Sequence, residues 1–125
     1  RYLCGEVTEV QAMSANHQRG FAVEDSAVVL LRFANGALGT VTVSDTIPAP
    51  WSWELTTGEN PAYPQTDQSC YVIGGSKGSL SLPRLEVWSH QNGSRDWWQP
   101  MQCERTSLIA QDPLHLQISH FAKGM

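Results

Sequence analysis

The chain is poor in positive charge and in long apolar runs. Only two of its 125 residues are lysine and six are arginine, and with 12 acidic residues the formal net charge is −4. A protein that binds nucleic acid or an anionic membrane surface usually carries a clustered basic face, and these arginines are scattered. No apolar run approaches the ~20 residues that a bilayer-crossing helix needs. The sequence therefore predicts neither a nucleic-acid-binding protein nor a membrane protein.

Cysteine is also sparse. Cys4, Cys70 and Cys103 are widely spaced and odd in number. A disulfide framework or a zinc ribbon would need paired cysteines at short, regular spacings. We therefore expect reduced thiols in a cytoplasmic protein.

The sequence holds no recognisable catalytic or metal-binding arrangement. It has no Ser/His/Asp set and no nucleophile elbow. His115 and His120 are five residues apart on a predicted helix and so lie on different faces, which argues against a shared metal. Glu24 and Asp25 are consecutive in a predicted strand and point to opposite faces, so we expect them to cap the start of a hairpin rather than to act as an acid–base pair. No catalytic residue and no metal ligand is predicted.

Residues 74–79 look at first like a phosphate-binding loop, because they combine glycines with a lysine and serines. The spacing differs from that of a Walker loop, and the residues that follow continue as a strand. A phosphate loop needs a following helix whose N-terminus faces the anion. The segment is therefore predicted to be a glycine-rich hairpin turn.

What the chain does have is the composition of one folded domain. Hydrophobic residues make up 41% and charged residues 16%, which is typical of a globular protein and not of a disordered one. The length falls in the usual range of ~100–150 residues for a single domain. We expect residues 1–125 to form one domain, truncated from a longer protein.

The clearest local signal is a hairpin formed by residues 24–33 and 37–45. Asn35-Gly36 is typical of a two-residue type I′ turn, which would place Phe33 opposite Leu38 and Leu30 opposite Val41.

Both faces of this predicted hairpin are apolar. One face would carry Phe33, Leu31 and Val29 against Leu38, Thr40 and Thr42. The other would carry Leu30 and Val28 against Val41 and Val43, with Arg32 near the turn. An antiparallel sheet usually has one wet, polar face. Each face therefore needs a cover, and we expect another domain or subunit to supply one of them. The candidate interface residues are Val29, Leu31, Phe33 and Trp88.

Further strands and one helix complete the prediction. The strands are expected at residues 6–14, 51–57, 69–73, 79–82, 85–90 and 101–108. Asp112 followed by Pro113 is typical of a helix start, and Gly124 of a helix end. The predicted fold class is α+β: an open, predominantly antiparallel β-sheet with a C-terminal helix packed on one face.

Five tryptophans need an explanation in so short a chain. Trp51 and Trp53 would share one side of the strand at residues 51–57, and a hairpin on Asn92-Gly93 would place Trp88 opposite Trp97. Tryptophan suits a core or subunit interface, and it also suits a platform for sugar rings. Trp51 and Trp53 are therefore weak candidates for substrate binding. A non-enzymatic carbohydrate-binding β module, or a pure oligomerisation scaffold, remains an alternative function.

Several segments resemble, in order and spacing, the C-terminal domain of the Gfo/Idh/MocA oxidoreductases, a family named after glucose–fructose oxidoreductase and inositol 2-dehydrogenase. The similar segments are residues 5–10, 23–27 and 31–40. The turn at residues 74–80 resembles the family's G-x-x-G-x-L hairpin, and residues 112–121 resemble its last sheet-covering helix.

The resemblance implies the back half of an NAD(P)-dependent enzyme that transfers hydride between a sugar or polyol and the nicotinamide. A Rossmann domain would precede it in the same protein, and the sheet domain would help to form the substrate pocket and a homo-oligomer, a dimer or larger. This sequence lacks the family's Gly-x-Gly-x-x-Gly, Glu-Lys-Pro and Asp-x-Gly-x-His motifs. We therefore expect no cofactor contact and no catalysis from this chain alone, with NAD or NADP bound by the parent protein.

Overall fold

A computed structural model describes residues 2–93, 96–107 and 111–124. They form seven strands, two α-helices and one short 3-10 helix. The strands make two antiparallel, open sheets, and a helix stands at the C-terminal end, which confirms the predicted α+β class. The chain folds as two compact units, one ending at Pro48 and the other beginning at Ala49. The elements are β1 (Val7–Ala15), β2 (Ser26–Phe33), β3 (Leu38–Ser44), α1 (Trp53–Thr57), β4 (Tyr71–Gly75), β5 (Gly78–Leu82), β6 (Glu86–His90), the 3-10 helix (Gln91–Gly93), β7 (Met101–Arg105) and α2 (Pro113–Lys123).

The first unit is a three-stranded meander in the order β1–β2–β3. Its β2–β3 turn differs from the predicted type I′ turn. The Gly36 N–H donates to the Phe33 carbonyl, and the Phe33 N–H to the Ala37 carbonyl, both at 2.9 Å. Gly36 has a φ of 86°, whereas Asn35 keeps a negative φ and accepts a hydrogen bond from the Ala37 N–H on its side chain.

One positive-φ residue instead of two gives a three-residue loop with a bulge, the other common solution for a sequence with glycine at this place. The predicted register was therefore wrong by one residue. Leu38 lies opposite Arg32 rather than Phe33, and Val41 lies opposite Val29 rather than Leu30. Since strand side chains alternate, this shift moves the side chains of β3 to the other face relative to β2.

The predicted strand at residues 51–57 was wrong, because this segment contains α1. The Ser52 side chain accepts a hydrogen bond from the Leu55 N–H and caps the helix start, and Gly58 ends the helix in the left-handed conformation. The alternation of Trp51, Trp53 and Leu55 with polar residues imitates a strand. The serine cap and the glycine stop decide the local structure instead.

The second sheet has the order β4–β5–β6–β7. Gly75 lies opposite Gly78 with only Ser76 and Lys77 between them, which confirms the predicted glycine-rich hairpin turn. A side chain at position 78 is excluded, since a Cβ there would lie 2.4 Å from the Trp88 carbonyl oxygen.

The predicted pairing of Trp88 with Trp97 was wrong. Trp88 lies opposite Cys103, and the hairpin signal at Asn92-Gly93 belongs to the 3-10 helix that leaves β6. Gly93 has a φ of 68°, so its positive φ serves a helix end and not a tight hairpin.

The predicted C-terminal helix is confirmed. Asp112 caps α2 by accepting hydrogen bonds from the Leu114 and His115 N–H groups, and Pro113 occupies the first turn. Its apolar residues Leu114, Ile118 and Phe121 remain exposed. Within the described ranges no helix is long and apolar enough to cross a membrane.

Candidate functional site

The first sheet presents one continuous apolar face, here named the apolar face. The observed register and the alternation of strand side chains place on it residues from all three strands. Its members are Val7, Val10, Ala12, Ala27, Val29, Leu31, Phe33, Gly39, Val41 and Val43, with Ser14 at the end of β1. The interface candidates Val29, Leu31 and Phe33 therefore lie together on this face, while Trp88 belongs to the second unit.

The apolar face is open at its edges. Phe33 is the last residue of the central strand β2 and is only 9% exposed, whereas Val10 and Val43, on the two outer strands, are each 59% exposed. A Cβ on Gly39 would lie 3.2 Å from the Phe33 ring. The absence of a side chain at position 39 therefore leaves room for this ring against the sheet. Uncovered apolar patches of this kind mark interaction surfaces.

The opposite face of the same sheet is mixed in character, contrary to the prediction that both faces are apolar. It carries Leu30 and Val28, but the Arg32 guanidinium pairs with the Glu9 carboxylate at 2.8 Å between Nε and Oε2. That hydrogen bond, followed by one from Gln11, holds the pKa of Glu9 below its usual value. The one-residue shift in register is the physical reason for the difference, because it places Thr40 and Thr42 on this side.

Asp25 holds the loop before β2 in place. Its carboxylate is 6% exposed and accepts hydrogen bonds from the Gln18 and Arg19 N–H groups at 2.9 and 3.1 Å. The backbone N–H of Arg19 contributes most to lowering the pKa of Asp25 below its usual value. The expected capping role at the start of the hairpin is thus seen for Asp25, and Arg19 adds an ion pair to Asp45 at 3.0 Å.

The two tryptophans proposed for substrate binding stand on either side of the α1 cap. Trp53 donates its indole N–H to Glu59 at 3.0 Å, and its ring meets Tyr71 edge-on with centroids 5.5 Å apart. Trp51 is 57% exposed. Because the segment is helical, the pair does not share a strand face, and a role in substrate binding stays a prediction for both.

A polar cavity of about 460 Å³ opens in the second unit beside the end of α1. Arg84 and Arg105 both donate to Glu86 at 2.9 Å, and Asp67 lies 3.4 Å from Arg84 and 3.7 Å from Arg105. The two guanidinium groups and the two carboxylates balance in formal charge. The cavity can form hydrogen bonds of both kinds with a hydroxylated ligand, but its charge selects no particular sign.

A larger cleft of about 890 Å³ lies beside the β4–β5 turn. The turn was predicted from the sequence, but the cleft was not. The side of the cleft opposite the turn includes Trp97, which was predicted to pair with Trp88 in a hairpin. The side chains that line it are Ser76, Lys77, Ser79, His90, Trp97, Gln99 and Met101.

The described residues do not fit a nicotinamide dinucleotide. Such a cofactor needs a strand, a glycine-rich turn and a helix whose N-terminus faces the pyrophosphate. The glycine-rich turn of this chain joins β4 to β5, so it has no helix behind it. Among the residues that the structure describes, no three His, Cys, Asp or Glu side chains cluster as metal ligands would.

Comparison with known proteins agrees with this architecture. A family described as GFO/IDH/MocA C-terminal domain matches residues 1–81, which span the first sheet, α1 and the β4–β5 hairpin. No curated protein and no solved structure gives a significant match. The matched segment covers well over half of the 125 residues. The chain belongs to the GFO/IDH/MocA C-terminal domain family.

Proposed function

We propose that this chain is the assembly and substrate-supporting domain of an NAD(P)-dependent sugar or polyol oxidoreductase. The observation that carries the proposal is the apolar face, in a chain that belongs to this family. The cofactor would be held by a Rossmann domain in the same protein, because the residues described here do not fit it. When bound there, the nicotinamide would accept or donate the hydride, and the sheet domain would position subunits and substrate.

The apolar face is suited to pairing with the same face of a second copy. A two-fold symmetric interface uses one patch on both subunits, so the patch must be self-complementary. A surface made of valine, leucine, alanine and phenylalanine meets that condition, since it carries no charge to repel its own copy. Fully burying one exposed side chain of this kind stabilises by roughly 1.5–3 kcal/mol. The exposed members of the face, such as Val10, Val41 and Val43, together act against the ~4–15 kcal/mol that association costs.

The opposite face is less suited to this role. Burying Arg32 and Glu9 would remove water from an exposed ion pair, and that desolvation offsets most of the gain from the neighbouring apolar residues. We therefore assign the subunit contact to the apolar face alone. The three free cysteines are consistent with the cytoplasmic location that we infer for the enzyme.

Two adjacent leucines offer a matched test of this assignment. Leu31 lies on the apolar face and Leu30 lies on the opposite one. In sedimentation velocity at pH 7, we expect the chain to run at twice its 13.8 kDa mass. Leu31→Lys should shift it to the monomer, because a lysine would lose its hydration in the interface.

Leu30→Lys is the control and should leave the dimer in place. Circular dichroism of both variants checks that the sheet is retained. A wild-type chain that stays monomeric at 100 μM, or a Leu31→Lys variant that assembles as Leu30→Lys does, would count against the proposed function.

A further inference from the structure

The larger cleft of the second unit has the size of a small-molecule site. Its volume of about 890 Å³ falls within the usual range of ~300–1,000 Å³ for ligand pockets. One wall is the tight β4–β5 turn, and the other includes Trp97, Gln99 and Met101. Neither the family match nor the proposed assembly function assigns a role to it.

The lining of the cleft carries one cationic side chain. Lys77 lies at the tip of the turn, and among the described residues that line the cleft it is the only Lys, Arg, Asp or Glu. Within the described part of the chain it forms no ion pair. An ammonium group that no carboxylate neutralises favours an anion, and lysine is a common phosphate binder. Ser76 adds a hydroxyl donor next to it.

The far wall of the cleft carries two large apolar side chains beside Gln99. Trp97 is 96% exposed, and Met101, at the start of β7, is 46% exposed. A tryptophan ring in this position can pack against the C–H face of a sugar ring while its N–H stays available to a hydroxyl group. The cleft thus offers an anion site at one end and a stacking surface at the other.

We propose that the cleft binds a phosphorylated sugar, with the phosphate at Lys77 and Ser76 and the sugar ring against Trp97. The choice of a sugar over another anion rests on the proposed function. The anion site itself rests on the side chains of the cleft and not on the backbone of the turn, which has no helix behind it.

The two lysines of the chain provide a matched pair for the test. Lys77 lines the cleft, and Lys123 lies in the last turn of α2 and is the other lysine. Glucose 6-phosphate should quench the tryptophan fluorescence of the wild-type chain saturably at low ionic strength. Lys77→Gln should weaken its affinity about tenfold or more, as expected for the loss of a charge-assisted hydrogen bond. Lys123→Gln removes the same charge and should bind as the wild type does.

Trp97→Phe, at an exposed position that tolerates the change, should abolish most of the quenching. Glucose and inorganic phosphate serve as the two part-ligands, and each should bind more weakly than glucose 6-phosphate. Glucose binding as tightly as its phosphate would overturn the anion assignment. Inorganic phosphate binding as tightly would overturn the stacking on Trp97. Equal affinity in Lys77→Gln and Lys123→Gln would overturn the site, and the sedimentation test of the apolar face would be unaffected by any of these results.

Discussion

At the scale of single residues, Asp25 is the most constrained charged group that the structure describes. It is buried in the first unit and accepts two backbone hydrogen bonds, from the Gln18 and Arg19 N–H groups. The sequence predicted a capping role for the Glu24–Asp25 pair from strand alternation. It could not tell which carboxylate turns inward, because that depends on how the loop at residues 16–20 folds back.

The lowered pKa of Asp25 makes its contribution depend on pH. A carboxylate whose pKa is lower in the folded state stabilises that state above the unfolded pKa of about 3.9, and the contribution is lost as pH falls through the folded value. Asp25→Asn should therefore lower the free energy of unfolding at pH 7, and the difference from wild type should be smaller at about pH 3, which lies below the unfolded pKa. Urea unfolding at both pH values measures this.

Glu24→Gln is the control for Asp25→Asn, because Glu24 is the exposed neighbour and should change stability little at either pH. A difference between Asp25→Asn and wild type that stays constant from pH 7 to pH 3 would show that the charge of Asp25 does not stabilise the loop.

At the scale of elements, the local hydrogen bonds of caps and turns determine whether the structure follows the apolar pattern of the sequence. The strands β1, β2 and β3 and the helix α2 follow from apolar periodicity and from Asp112-Pro113. The segment at residues 51–57 shows the limit of periodicity, since five residues satisfy a strand pattern and a helical turn equally well. There the local hydrogen bond of Ser52 decides.

The cap of α1 can be tested directly. Ser52→Ala removes the acceptor for the Leu55 N–H and should lower the free energy of unfolding by about 0.5–2 kcal/mol, the usual effect of losing a helix cap. Ser52→Asp keeps a capping oxygen and should retain wild-type stability. Urea unfolding followed by tryptophan fluorescence reports on the change. Equal stability of Ser52→Ala and Ser52→Asp would mean that the cap contributes nothing to α1.

The register of the β2–β3 hairpin is the second case at this scale. Asn35-Gly36 allows either a two-residue turn with two positive-φ residues or a three-residue loop with one. The Asn35 side chain bonds the Ala37 N–H, which favours the loop with a single left-handed glycine. A shift of one residue in the β2–β3 register determines whether Val41 and Val43 lie on the same face of the sheet as Leu31 and Phe33 or on the opposite face.

At the scale of the whole molecule, the family and the α+β class could be predicted from the order of the motifs. The position of the cleft could not be predicted. One of its sides lies after Asn92-Gly93, where the sequence indicated a hairpin and the structure has a 3-10 helix. The apolar character of the first sheet was predicted from the alternation of residues along the two hairpin strands. The membership of each face needed the observed register, which replaced two faces predicted to be apolar by one apolar face and one mixed face.

The most direct test of the central claim places charge at an exposed position of the apolar face. Val10 lies on this face and is 59% exposed, so Val10→Lys should not disturb the fold of the unit. Gln11→Lys, at the next residue of β1 and on the opposite face, is the matched control. In sedimentation velocity across a concentration series, the account predicts that Val10→Lys is monomeric while Gln11→Lys assembles as the wild type does. Assembly of Val10→Lys with wild-type affinity would contradict the assignment of the apolar face as the subunit interface.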